Sequence, residues 1–162
     1  MAKKTTPANR LSNFTIESIP ASKNRYCGPA AMSAITGKDP DHCAEILAKV
    51  INRTRCLYVN RTAAGVTSTY VREVAVALNE LGYAISMENA QPYEVESFKK
   101  WATRTEEERG GDVFLVLAGA HWRVVHKWQT VCGIKRTPHH TNSATRPGSK
   151  VFAAWKVTSL KG

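Results

Sequence analysis

Acidic side chains stop early in this sequence. The last is Asp112, and from Val113 to Gly162 there are eight Lys or Arg and no Asp or Glu. That half has no carboxylate of its own to give a metal, a histidine or a general acid–base pair. No apolar run approaches the ~18 to 20 residues needed to cross a bilayer. The opening segment, MAKKTTPANRLSNFT, has lysines but no apolar core after them. No secretory signal is expected, and a cytoplasmic setting is the default reading. None of the four cysteines forms a Cys-x-x-Cys pair. Cys27, Cys43, Cys56 and Cys132 are too widely and unevenly spaced for paired zinc ligands or a disulfide framework, so neither is expected. A phosphate-binding loop and a dinucleotide fingerprint are both absent, so no cofactor is expected.

What remains is an ordinary globular composition. The chain has 162 residues, 43% hydrophobic, with a formal net charge of +10. That length suits one domain with a core of its own. Residues 1–20 are polar, contain two prolines and lack sustained periodicity, so they read as a flexible arm before a single domain over 21–162. The positive charge of the second half suggests an acidic partner, either nucleic acid or an acidic protein face. There is no long basic run and no RNA-binding signature to sharpen that.

Helix signals dominate the first half. Gly28–Thr36 is alanine-rich and ends at Gly37. Asp39-Pro40 then suits the cap and first position of a helix bearing Cys43, Ile46, Leu47, Val50 and Ile51 on one face. A third helix is expected from Thr67 or Ser68 to Leu81, stopped by Gly82. A fourth is expected from Pro92, carrying Val95, Phe98 and Trp101, with a charged loop over Glu106–Gly111. Strand signals follow. Tyr83–Met87, Val113–Leu117, Trp122–Val125, Thr130–Ile134 and Val151–Val157 are β-branched or aromatic. Helices first and strands second imply an α+β domain.

Two short segments carry the chemistry. In Asn24-Arg25-Tyr26-Cys27-Gly28-Pro29-Ala30-Ala31 the cysteine stands at the start of a predicted helix. Free amides and partial positive charge there favour a thiolate. Gly28 keeps the approach to the sulfur open. In Gly119-Ala120-His121-Trp122 a histidine opens a strand after a glycine turn, which suits a general base. A buried structural cysteine and a satisfied histidine are the plainer readings of each residue taken alone. His42, His126, His139 and His140 are competitors of His121. Trp122, adjoining it, is a candidate wall of a substrate groove.

Together the two segments resemble the papain-like cysteine peptidase superfamily, and most of all its bacteriocin-processing branch and the small papain-like proteins of tailed phages. The resemblance implies a helical layer carrying Cys27, packed on an antiparallel sheet carrying His121. It implies attack on an amide or related acyl bond through a thioester, with a peptide or protein as substrate. It also implies a phage protein of the host cytoplasm or the virion. The family pattern has a glutamine before the cysteine; here Asn24 is the nearest amide. It has an Asp or Asn after the histidine; here Cys132 aligns with it, leaving Gln129 or Asn142 to orient the ring. The missing acid favours an alternative, a degenerate papain-like module that serves as a structural or binding protein. With the acid gone, Cys27 is expected to be mildly acidified by its helix and to turn over slowly.

Overall fold

A computed structural model of the chain describes residues 5–22, 26–54, 70–92, 94 and 96–160. Among them are five α-helices: α1 (Pro7–Ser12), α2 (Cys27–Thr36), α3 (Pro40–Thr54), α4 (Val71–Glu80) and α5 (Phe98–Arg109). The strands are β1 (Tyr83–Ser86), β2 (Glu96–Ser97), β3 (Val113–Ala118), β4 (His121–His126), β5 (Gln129–Cys132), β6 (His139–His140) and β7 (Lys150–Ser159). They form one antiparallel sheet in the order β1-β7-β3-β4-β5-β6, with the short β2 also on β7. The domain is α+β.

Local chemistry accounts for the helix ends. Gly37 closes α2 in the left-handed region at φ 71°, its N–H donating to the Ser33 carbonyl. Asp39 Oδ1 accepts from the Asp41 amide at 2.8 Å as α3 begins at Pro40. The expected start of the third helix, at Thr67 or Ser68, lies outside the described residues. Its described part begins at Val71, where Glu73 accepts from the Tyr70 amide. The fourth helix starts later than Pro92. Ser97 caps α5 by accepting from the Lys100 amide, and the helix then runs on to Arg109. The expected charged loop over 106–111 is therefore mostly the last turn of that helix. A buried Arg109, donating to the Ala102 and Lys127 carbonyls, holds the turn against the sheet.

Two cores flank the sheet. Side chains alternate along β3: Val113 and Leu115 join the core under α2, α3 and α4, whereas Phe114, Val116 and Ala118 join the core under α5. That double burial explains why the strand is a continuous apolar run. Along β4, Trp122 and Val124 face the first core and Val125 the second. The helical cover is thus on both faces, α2, α3 and α4 on one and α5 on the other.

The segment expected to be a flexible arm over residues 1–20 packs instead. Thr6 caps α1, and Arg10 donates to the carbonyls of Ala34 and Ile35. Phe14, Ile16 and Ile19 are buried in the first core, and the Ile19 amide donates to the Arg136 carbonyl. The apolar residues there are too sparse and irregular to show a period. No described helix is long and apolar enough to cross a membrane.

Candidate functional site

Cys27 is the first residue of α2, entered from an extended Tyr26 at φ −85° and ψ 151°. The helix start abuts the end of β5 so closely that a Cβ on Gly133 would lie 2.9 Å from the Cys27 Cα. Its sulfur is 4.0 Å from the Ala120 carbonyl oxygen, one residue before His121. The cysteine helix and the histidine strand therefore meet where β4 begins and β5 ends.

Three main-chain amides, those of Trp122, Cys27 and Gly28, favour the thiolate at this sulfur. Burial opposes them and dominates, with Cys132 adding to it, so the Cys27 thiol is pushed above its ordinary range. The direction is opposite to that expected of a cysteine at a helix start. The helix N-terminus is present, but burial outweighs it.

His121 follows the turn at Gly119, which takes φ 57° and accepts from the His121 amide through its carbonyl at 2.9 Å. Its position on β4 shares the side of Arg123 and Val125, that of the second core. Its ring Nε2 lies 2.5 Å from Arg146 Nη1. A guanidinium can only donate, so Nε2 accepts and the neutral ring carries its proton on Nδ1. Burial and the charges of Arg146 and Arg123 hold the imidazole below its usual range. The ring meets Arg146, while the sulfur meets the Ala120 carbonyl and the amides of Trp122, Cys27 and Gly28. The fold brings the two backbones together; it turns the imidazole toward the loop after β6.

That loop is pinned from below. Arg123 is 1% exposed, and its guanidinium stacks over the Phe98 ring at 4.5 Å. Its Nη2 donates to the carbonyls of Thr145 and Arg146, at 2.5 and 3.3 Å. Its Nε and Nη1 have no partner among the described residues.

The remaining expected residues are dispersed. Asn24 lies outside the described residues. Gln129 pairs with His126 and His140, at the other end of β4. Five residues along a strand put it roughly 16 Å from the His121 position, so it cannot orient that ring. Trp122 is 2% exposed and packs on Trp155 at 5.7 Å, so it is a core residue and not the wall of a groove. Only its main-chain N–H serves the sulfur. Gly28 is buried in α2 and contributes its amide. Cys132 stands opposite Arg123, its sulfur accepting from the Lys135 amide at 3.4 Å. Asn142 donates its amide to His140 Nδ1 at 3.0 Å, in a 3₁₀ turn over Thr141–Ser143. Cys43 is fully buried on α3, its sulfur 3.9 Å from the Thr36 hydroxyl. Cys27, Cys43 and Cys132 are free thiols, and no group of three His, Cys, Asp or Glu among the described residues could hold a metal.

Sequence reasoning missed Arg146 and Gly133. Arg146 sits in Arg-Pro-Gly-Ser, which signals only a turn; nothing in the string announces that the turn folds back onto His121.

No family model, curated protein or solved structure matches this chain.

Proposed function

We propose that this protein is a papain-like thiol hydrolase, acting on an amide or related acyl bond with Cys27 as nucleophile and His121 as base. The observation that carries the reading is the meeting of α2 and β4, with the Cys27 sulfur against the residue that precedes His121. In the reaction the His121 side chain, which rests on the side of β4 away from α2, leaves Arg146, swings past the end of the strand and takes the thiol proton. The sulfur attacks the carbonyl carbon, and main-chain amides at the head of α2 receive the oxyanion. The tetrahedral adduct collapses to a thioester as the imidazolium protonates the leaving amine. Water, deprotonated by the same ring, then attacks the thioester; an acid leaves and the thiol is restored. Among the described residues no carboxylate is paired with His121 to steady the imidazolium, so turnover is slow. The same likeness suggests a phage protein of the host cytoplasm or the virion.

The contact of Arg146 with His121 favours a second reading, a degenerate papain-like module that binds and does not cleave. With the thiol pushed up and the imidazole held down, the resting pair is thiol and neutral ring, not an ion pair. The basic second half would then meet nucleic acid or an acidic protein. Labelling with a thiol-directed acyl electrophile separates the two. The hydrolase reading expects Cys27 to react ahead of Cys43, Cys56 and Cys132, and to slow in His121→Ala. Labelling no faster than a free thiol, and indifferent to His121→Ala, leaves the binding module.

A further inference from the structure

Arg146 is an exposed arginine whose guanidinium ends on an imidazole nitrogen and not on a carboxylate. A neutral acceptor is a weaker partner for it than a carboxylate, which can take two parallel N–H bonds. Its backbone is held in an unusual shape. Arg146 is one of three described non-glycine residues with positive φ, at 51°. Such conformations persist where the surroundings enforce them, and they gather at ligand clamps. Here the enforcement is visible. The Arg146 carbonyl accepts from the buried Arg123 at 3.3 Å and from the Ser149 amide at 3.1 Å. The backbone is fixed while the head of the side chain stays at the surface, beside the base. Among the described residues no ion pair of Arg146 with an Asp or Glu is seen.

We infer that Arg146 is a substrate-recognition residue, which takes a carboxylate of an acidic peptide and thereby releases the His121 ring. This deepens the hydrolase reading and rests on it. While Arg146 donates to Nε2, that nitrogen has no lone pair for the thiol proton. A carboxylate of the substrate displaces the imidazole from the guanidinium. Nε2 is then free, and the same contact anchors the substrate at the start of β4. A neutral or cationic substrate has to break the Arg146–His121 bond with no replacement. The substrate therefore bears a negative group close to the bond that is cut, either an Asp or Glu side chain or a terminal carboxylate.

The test uses peptide chloromethyl ketones that differ at one residue, Asp, Asn or Lys, together with a neutral peptide carrying a succinyl cap as its carboxylate. Alkylation of Cys27 is followed by mass spectrometry in the wild type, Arg146→Ala and Arg146→Glu. The Asp probe is expected to react about tenfold faster than the Asn probe in the wild type, the factor that ~1.4 kcal/mol represents. Arg146→Ala should level the series and Arg146→Glu should favour Lys. Acceleration by the succinyl cap alone supports the carboxylate and assigns it to a chain terminus. An Asp-to-Asn ratio of one in the wild type, or a ratio unchanged in Arg146→Ala, overturns the inference. If no probe labels Cys27, the hydrolase reading fails, and a second measurement still decides this one. The His121 ring resonances are titrated with N-acetyl-aspartate amide and N-acetyl-asparagine amide. A saturable shift with the aspartate only, lost in Arg146→Ala, supports the carboxylate site; no shift overturns it.

Discussion

Gly133→Ala adds one methyl group at the junction that builds the site. The new Cβ would stand 2.9 Å from the Cys27 Cα, 3.2 Å from its N and 3.3 Å from its Cβ. Two of those three atoms are backbone, so no side-chain rotation relieves the clash. Ordinary contact distances return only if the head of α2 and the end of β5 separate by roughly half an ångström, and packed interiors resist such shifts. Overpacking of this kind costs about 1 to 3 kcal/mol. For a domain of this size each kcal/mol lowers the melting temperature by roughly 2 to 4 °C, so a drop of about 2 to 12 °C is expected. Gly148→Ala is the control, because its new Cβ meets nothing within 4 Å. It should stay within about 0.5 kcal/mol of the wild type. Urea unfolding measures both. The same shift opens the sulfur to water and removes part of the burial that raises its pKa. Iodoacetamide at pH 7 should therefore alkylate Cys27 faster in Gly133→Ala, with hydrolysis of any substrate slowed by the misplacement. A Gly133→Ala protein as stable as the control, with unchanged Cys27 alkylation, refutes the close packing of α2 on β5.

Three further outcomes are expected. In the wild type, the rate of Cys27 alkylation should rise with pH to a midpoint above that of a free thiol, about 8.5; a midpoint below it would show that the helix N-terminus outweighs burial. Cys43 is pushed up to about 11 by burial, so the unfolded chain ionises it first. Stability should be full below about pH 8.5 and fall toward pH 11, a loss of order 2 to 3 kcal/mol that Cys43→Ala should remove, as read by urea midpoints across that window. His126 is 7% exposed, packs edge-on against Phe14 at 5.2 Å, and is held below its usual range chiefly by burial. Its contribution is present above about pH 6.5 and is lost as pH falls, so His126→Gln should lose less stability than the wild type between pH 7.5 and 5; equal losses would remove this histidine from the acid response.

Much of this protein was decided one residue at a time. Cys27 before a run of alanines ending at Gly37 made a helix with a cysteine at its head, because alanine propensity and the glycine C-cap are local. Val113–Leu117 announced a strand buried on both faces, since only such a strand is apolar at successive positions. His121 after Gly119 placed a histidine at a strand start. Tertiary structure decided the rest, wherever the physical cause joins distant parts of the chain. Phe14, Ile16 and Ile19 follow no period, and only their burial in the first core marks them. Trp122 became core because strand alternation sent its ring under α2, while its amide alone reached the sulfur. Gln129, eight positions from His121 in the chain, was carried to the far end of β4 by an antiparallel hairpin. Arg146 reached His121 because Arg123, buried on the opposite side of β4 from Trp122, pulls in the carbonyls of the loop. The balance between a helix N-terminus that favours the thiolate and a burial that opposes it belongs to the packing of Gly133 on Cys27, a contact between residues more than a hundred positions apart.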